Sequence, residues 1–161
     1  MRHREITGAV HDEGGAIALQ VLHAGRYGYH PLSVSASNKK SPITPFRPSA
    51  LSTRGVDRTA TDFAKTAALA RKAGYDAIEI MGSEGYLINQ FLAARTNDRT
   101  DRWGGSAENR MRFPLEIVRR ARDGEVGKPS RPRAVDKARR AVPVHRAVGR
   151  VQRPGGVRRR A

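Results

Sequence analysis

Residues 75–91 have the sequence YDAIEIMGSEGYLINQF, and this segment decides the fold. Gly74 precedes it where a helix is expected to end, and Asp76–Met81 then forms a short apolar run typical of a buried strand. A turn bracketed by glycines follows and presents Glu84 and Tyr86. A strand that leads into a tight turn with polar side chains is typical of a site at the carboxyl end of a parallel strand.

The elements predicted around this segment alternate between helix and strand. The spacing of apolar residues predicts helices over residues 2–13, 56–73 and 106–122, and a continuous apolar run predicts a buried strand over residues 16–22. Such alternation indicates parallel strands joined by crossover helices. The chain is therefore predicted to be an α/β protein.

The same spacing predicts which face of each helix is buried, and caps mark the helix ends. Ser52 and Ser106 are candidate N-caps, and Pro114 is expected to kink the last helix or to move its start. The predicted inward-facing residues are Ile6 and Val10 in the first helix, Val56, Ala60, Phe63, Ala67 and Ala70 in the second, and Met111, Leu115 and Val118 in the third.

Gln20 lies inside the predicted buried strand 16–22. A buried amide needs a partner, because leaving it unpaired costs about 1–3 kcal/mol. Since the side chain offers both donors and acceptors, Gln20 could contact the edge of a heterocycle that alternates the two. A hydrogen bond to the backbone of a neighbouring loop explains the residue equally well.

Residues 23–52 form a long segment rich in proline, serine and lysine, which excludes a continuous helix. A loop of this length inside a compact domain is often functional. Lys39, Lys40 and Arg47 make it basic. This would suit an anionic ligand, although a solvated run of charges is the more common explanation.

The net charge of +16 is divided unevenly along the chain. Residues 123–161 carry 12 Lys/Arg against 3 Asp/Glu, and all nine aromatic residues lie before residue 114. A segment of this composition cannot bury enough apolar surface to offset its ordering entropy. We therefore expect residues 1–122 to form the folded part and residues 123–161 to be a basic tail, either disordered or translated out of frame.

The composition also excludes several classes of function. The chain has no cysteine, which excludes disulfides, thiol catalysis and an iron–sulfur cluster held by this chain. No apolar run approaches the roughly 18 residues of a membrane span. The amino terminus has no apolar region typical of a secretory signal. The expected protein is soluble and cytoplasmic.

Three blocks, in this order, resemble the signatures of the old yellow enzyme superfamily. They are LQVLHAGR at residues 19–26, GYLINQFL at residues 85–92, and RTNDRTDRWGGSAENRMRF at residues 95–113. Members of this superfamily are FMN-dependent oxidoreductases built on a TIM (β/α)8 barrel. The resemblance covers roughly residues 2–122 and implies a fragment of such a barrel with two to three βα units.

Two shorter runs are similar to the bacterial 2,4-dienoyl-CoA reductases within this superfamily. They are MGSEGY at residues 81–86 and RYGYHP at residues 26–31, and many other members have two histidines where this chain has Met81 and Glu84. The similarity implies a conjugated enoyl-CoA or 2,4-dienoyl-CoA substrate, FMN as the cofactor and NADPH as the electron donor.

The resemblance also implies roles for individual residues. Gln20 matches the glutamine that hydrogen-bonds the pyrimidine edge of the flavin, and Tyr86 matches the tyrosine that gives a proton to the substrate carbon. A phenol with an ordinary pKa of about 10 keeps its proton at neutral pH. Arg95 and Glu84 are candidate substrate contacts, although a structural ion pair explains Arg95 equally well. No metal site is predicted.

Because the predicted barrel is partial, this chain by itself is expected to be inactive. An alternative function is salt-sensitive binding of a nucleic acid or an acidic partner through the basic tail. The tail has no aromatic residue for base stacking, so no specific nucleic acid is expected. A third alternative is a partial barrel that assembles with other chains.

Overall fold

The computed structural model describes residues 2–123, and within them the predicted α/β architecture is present. The prediction of a tail after this point falls outside the described residues. A short 3₁₀ turn covers Gly25–Tyr27. The elements in chain order are α1 (Arg2–Asp12), β1 (Ala18–Val21), β2 (Val34–Ser35), β3 (Ser49–Ala50), α2 (Thr53–Lys72), β4 (Ala77–Ile80), α3 (Leu87–Leu92) and α4 (Ala107–Asp123).

The two predicted strands pair in parallel, as the alternation of elements indicated. β1 and β4 lie side by side with Gln20 opposite Glu79 and Val21 opposite Ile80. The loops that follow these strands therefore leave from the same edge of the sheet, and the backbone N–H of Leu87 donates to the carbonyl oxygen of His23 at 3.0 Å. Strands β2 and β3 form a second, two-residue parallel pair within the long loop.

Only one face of the β1–β4 sheet is covered in the described residues. Val21 is buried, and Leu19 and Ile80 pack against the core that α2 contributes to. On the opposite face, Gln20 and Glu79 are exposed. The prediction of buried strands is therefore wrong for the face that carries Gln20 and Glu79, since no element within residues 2–123 covers it.

Helix α2 confirms its prediction in detail. The five residues predicted to face inward are all buried, and they extend from Val56 to Ala70. Ser52 caps the helix, because its Oγ accepts a hydrogen bond from the backbone N–H of Gly55 at 3.0 Å. Gly74 follows the helix with a φ of 93°, a left-handed conformation that glycine adopts without steric cost.

The buried face of α1 was predicted wrongly. Thr7 is the buried residue of this helix, and Ile6 is 51% exposed. The Thr7 hydroxyl donates to the carbonyl oxygen of Ala73 at 2.8 Å. This short helix therefore contacts the carboxyl end of α2 through a polar side chain. Because the buried residue is polar, the spacing of apolar residues did not reveal which side of α1 faces inward.

The buried face of α4 also differs from the prediction. Phe113 and Ile117 are fully buried, whereas the predicted inward residues Met111, Leu115 and Val118 are 46–60% exposed. The ring of Phe113 lies against Phe91, with 4.2 Å between centroids, and this aromatic contact sets the rotation of the helix. Ser106 caps α4 as predicted, with its Oγ accepting from the N–H of Asn109 at 3.3 Å.

Pro114 lies inside α4, and the helix continues through it rather than starting there. None of the helices within residues 2–123 is long and apolar enough to span a membrane.

Candidate active site

A strained turn joins β4 to α3 and delivers Tyr86. Glu84 and Gly85 have φ values of 61° and 80°, so two consecutive residues are left-handed. The backbone N–H of Tyr86 closes the turn on the carbonyl oxygen of Ser83 at 3.4 Å. A non-glycine residue such as Glu84 adopts this conformation at a cost of about 1–2 kcal/mol, so the surroundings must hold it.

Tyr27 packs over this turn and fixes the ring of Tyr86. The two rings meet edge to face, with 5.9 Å between centroids and 75° between planes. A β-carbon at Gly85 would lie only 2.9 Å from Cε2 of Tyr27. Gly85 is therefore required both for its left-handed backbone and for the close approach of the Tyr27 ring.

Gln90 joins the two loops of the site, and sequence analysis did not single it out. Its Oε1 accepts hydrogen bonds from the backbone N–H of Arg26 at 3.0 Å and from the hydroxyl of Ser35 at 2.8 Å. Its Nε2 donates to the carbonyl oxygens of Gly85 at 2.6 Å and Ala24 at 3.3 Å. The side chain is fully buried. In the sequence, Gln90 stands beside a second amide, Asn89, in the run LINQFL, so the pattern does not single it out.

His23 shapes the loop after β1. Its Nδ1 accepts a hydrogen bond from the backbone N–H of Gly25 at 3.0 Å. Burial lowers the pKa of His23 below 6.5, outweighing the opposite effect of its backbone hydrogen bond, and nearby His30 lowers it further. The ring is therefore neutral at pH 7, and because Nδ1 accepts, the proton resides on Nε2.

Gln20 lies on the exposed face of the sheet, so the prediction of a buried amide is wrong here. Its Nε2 donates to Oε2 of Glu79 at 3.1 Å, so the two residues that lie opposite each other on β1 and β4 are hydrogen-bonded. The Oε1 atom and the second N–H of Gln20 have no other partner among the described residues. One acceptor beside one donor fits the pyrimidine edge of a flavin.

Arg95 and Glu84, the two candidate substrate residues, lie in different surroundings. Arg95 lines a cleft of about 630 Å³ together with Arg26, Lys39 and Lys40. Within its lining, Nζ of Lys39 donates to the carbonyl oxygen of Arg95 at 3.0 Å. Glu84 is exposed in the strained turn and does not line this cleft.

The block at residues 95–113 holds the loop after α3 in place. Asn97 donates from Nδ2 to the carbonyl oxygens of Phe91 at 2.7 Å and Trp103 at 2.8 Å. Arg99 pairs with Asp101 at 2.5 Å and 2.9 Å, and these hydrogen bonds hold the pKa of Asp101 well below its usual value. Asn97, Arg99 and Asp101 in this signature therefore stabilise the fold. Within residues 2–123 no group of three or more His, Asp or Glu side chains could hold a metal ion.

Parallel strands with polar side chains on the loops after them are typical of α/β proteins of the barrel or doubly wound type. The family model described as NADH:flavin oxidoreductase / NADH oxidase matches residues 1–128, and the chain belongs to this family. The family resemblance stated from the sequence is thus confirmed, as is the use of FMN and a reduced nicotinamide at the level of the family.

Curated relatives from distant organisms match the same region. A metal reductase of Desulforamulus reducens is 41% identical over 124 residues, which cover 74% of this chain and 19% of that protein. An NADH oxidase of Thermoanaerobacter brockii is 40% identical over 126 residues, covering 74% and 19%. The 12-oxophytodienoate reductase 1 of Oryza sativa subsp. japonica is 38% identical over 128 residues, covering 71% and 33%.

Solved structures agree with the sequence relatives. Morphinone reductase superposes with a TM-score of 0.73 at 36% identity, over 78% of this chain and 39% of that one. Morphinone reductase in complex with tetrahydroNAD gives 0.72 at 35% identity, over 74% and 39%. The chain spans about a fifth to two fifths of the length of these relatives.

Proposed function

We propose that this chain carries the proton-donating segment of an FMN-dependent, NADPH-driven reductase of conjugated enoyl-CoA or 2,4-dienoyl-CoA compounds. Residues 2–122 would then correspond to two to three βα units of a (β/α)8 barrel. The observation that carries the proposal is the position of Tyr86. It follows the carboxyl end of β4, next to the strand that holds Gln20, in a chain of the NADH:flavin oxidoreductase family.

Gln20 would hold the flavin in this proposal. Its Oε1 and its second N–H would pair with the pyrimidine edge, while the hydrogen bond to Glu79 keeps the amide turned to the open face of the sheet. FMN supplies the hydride when it is bound. The residues of this chain supply orientation and a proton.

Tyr86 would give that proton to the substrate carbon. The edge-to-face contact with Tyr27 and the hydrogen-bonded turn before Tyr86 restrict the orientation of the phenol ring. A fixed donor contributes about 10²- to 10⁴-fold to a reaction that needs general acid catalysis. Glu84 would act near the substrate from the same turn.

The cleft around Arg95 supports an anionic substrate such as an acyl-CoA. Arg26, Lys40 and Arg95 bring three cationic side chains to one opening, and Lys39 adds a fourth at its edge. Guanidinium groups pair with phosphates through two parallel hydrogen bonds, which makes arginine suited to the phosphates of coenzyme A.

The isolated chain is proposed to be inactive. Gln20 and Glu79 lie on an exposed sheet face, where water competes for every hydrogen bond that would hold a flavin. Titration with FMN, followed by flavin absorbance and fluorescence, tests this. We expect weak binding that the Gln20→Leu variant abolishes. Tight stoichiometric binding would contradict inactivity, and equal binding by Gln20→Leu would contradict the role of Gln20.

The role of Tyr86 is tested by placing residues 2–122 into the matching segment of a full-length relative and following the two half-reactions. In the Tyr86→Phe form of this chimera we expect unchanged reduction of the flavin by NADPH. Turnover of a dienoyl-CoA should fall by about 10²-fold or more, since only that step consumes the phenolic proton. An equal loss in both half-reactions would refute Tyr86 as the proton donor.

Binding of a nucleic acid or acidic partner through residues 123–161 stays a prediction. This prediction rests on the positive charge of that segment, which has 12 Lys/Arg against 3 Asp/Glu. Salt-sensitive retention on DNA, together with no response to FMN, would favour it over the reductase.

A further inference from the structure

The side chain of Gln90 makes four hydrogen bonds at the site, and the reductase proposal assigns it no role. We propose that Gln90 is the positioning residue for Tyr86. Its amide ties the turn before Tyr86 to the loop after β1, and so fixes the phenol relative to the strand that carries Gln20.

The amide is fully used by its four hydrogen bonds. It can accept two hydrogen bonds at Oε1 and donate two from Nε2, and each has a partner. The partners come from three separate segments: the loop after β1, strand β2, and the turn after β4. No other uncharged side chain of this length offers two donors and two acceptors, so the junction specifies glutamine.

The chain around Gln90 is shaped to admit this amide. Gly25 has a φ of 61°, and a β-carbon there would lie at 2.6 Å from Nε2 and 2.7 Å from Cδ of Gln90. The Gly25 position must therefore remain without a side chain. The backbone of the loop after β1 is therefore in direct van der Waals contact with the Gln90 side chain.

The strained turn explains why a positioning residue is needed. Glu84 and Gly85 are both left-handed, and a turn with a non-glycine residue in that region relaxes unless its surroundings over-determine it. The hydrogen bond from Nε2 of Gln90 to the carbonyl oxygen of Gly85, at 2.6 Å, holds the peptide that immediately precedes Tyr86. Loss of that bond would release the turn and the phenol together.

The catalytic meaning of this inference rests on the proposed role of Tyr86, but the positioning can be measured without it. Biosynthetic labelling of the full chain with 3-fluorotyrosine gives one ¹⁹F signal for each of the four tyrosines. Tyr27 and Tyr86 report on the junction. Tyr75, whose hydroxyl is bonded to Nδ1 of His3 at 2.8 Å, reports on intact folding at a distant point.

The Gln90→Glu variant is the sharpest probe, because it changes only the amide into a carboxyl group. When ionised, that carboxylate would face the carbonyl oxygens of Gly85 and Ala24 with no proton to donate. Burial and these oxygens would raise its midpoint above the roughly 4.3 of a free glutamate. We expect the Tyr27 and Tyr86 signals to move with pH around that raised midpoint while Tyr75 stays at its wild-type position.

Two controls isolate the effect. Asn89→Asp makes the same change from amide to carboxyl one residue earlier in α3 and should leave the Tyr86 signal at its wild-type position. The wild-type titration subtracts the response of the titratable groups in the segments that Gln90 joins, which include His23 in the loop after β1 and Glu84 in the turn after β4. A Gln90→Glu variant whose Tyr86 signal matches that of wild type at every pH would overturn the proposal, as would an equal response of Asn89→Asp.

A measurement on the wild-type chain covers the case in which Gln90→Glu fails to fold. The backbone N–H of Arg26 lies in a short 3₁₀ turn but donates to the buried Gln90, so hydrogen exchange should show it protected about as well as that of Leu87, which bonds across the loops. Exchange of the Arg26 amide at the rate of an exposed loop would overturn the proposal. Neither measurement involves flavin, so a failure to bind FMN would count against the reductase proposal alone.

Discussion

Two glutamines occupy similar stretches of sequence and have opposite surroundings. Gln20 lies in the run ALQVL and Gln90 in the run LINQFL. Gln20 is exposed on the open face of the sheet and makes one hydrogen bond, to Glu79. Gln90 is fully buried and makes four. An apolar neighbourhood in the sequence therefore does not reveal whether an amide is buried.

What differs is the element that lies opposite each side chain. Gln90 faces the loop after β1 and strand β2, which are close enough to bring backbone groups to its amide. Gln20 faces the side of the sheet that no described element covers. We call these two regions the closed junction, centred on Gln90, and the open face, which contains Gln20 and Glu79.

The largest expected effect lies in the apolar core beneath the closed junction. Phe113→Ala should lower the free energy of unfolding by about 3–5 kcal/mol, because it removes a buried ring that packs on Phe91 and Trp103. Urea denaturation measures the loss. Met111→Ala, on the exposed side of the same helix, should change stability by less than about 0.5 kcal/mol. Equal losses would show that the sequence-based face of α4 was right after all.

The direct comparison of the two glutamines comes next. Gln90→Leu should lower the free energy of unfolding by about 3 kcal/mol, since it leaves the buried Ser35 hydroxyl and three half-buried backbone groups without their partner. Gln20→Leu should change it by less than about 0.5 kcal/mol, because the residue is exposed and its single partner can turn to water. Thermal or urea denaturation of the two variants gives the difference. A loss as large for Gln20→Leu would show that the open face is covered in solution.

A charged link near the closed junction gives a smaller, pH-dependent effect. The hydrogen bonds from Arg99 lower the pKa of Asp101 below 3.8, so its contribution to stability is full above pH 3.8 and is lost as the pH falls toward the folded-state pKa. Asp101→Asn should therefore cost about 2 kcal/mol at pH 7 and cost progressively less below pH 3.8.

Asp62→Asn is the matched control for this link. Its pair with Lys65, at 3.2 Å, is exposed on α2 and should contribute less than about 1 kcal/mol at any pH. Urea denaturation between pH 2.5 and 7 measures both variants. A loss for Asp101→Asn that does not shrink in acid would exclude ionic bonding as its source.

The smallest effect concerns the strained turn that the closed junction holds. Glu84→Asn should raise the free energy of unfolding by about 0.5 kcal/mol, because asparagine tolerates the left-handed conformation better than glutamate does. Glu84→Ala removes the same charge but keeps the strain, and should bring no gain. If both variants gained equally, the charge of Glu84 rather than its backbone would be the source.

The helices show how far sequence patterns reach. Every inward residue of α2 was predicted, because five apolar side chains at helical spacing contrast with charged residues on the other face. In α4, two sets of apolar residues lie at helical spacing, and spacing alone does not show which set is buried. One set is Met111, Leu115 and Val118, and the other is Phe113 and Ile117. The rings of Phe91 and Trp103, from other parts of the chain, made that choice.

The candidate site divides in the same way. Tyr86 and Gln20 were found from sequence because they lie in ordered blocks with a recognisable family pattern, and their roles stay predictions. The contribution of Gln90 was not found, because its partners lie 5 to 66 residues away and none of them is marked by its residue type.

The sequence by itself determined the alternation of helix and strand, the parallel pairing it implies, and the family, since all of these depend on local spacing and on ordered blocks of residues. Only the tertiary structure decided which face of α4 is buried, that the amide of Gln20 is exposed, and that Gln90 joins two loops. Burial depends on which surface lies opposite a side chain, and that surface comes from residues far away in the chain. An apolar pattern therefore predicts that a segment has a buried side, and the packing against it decides which residues are on that side.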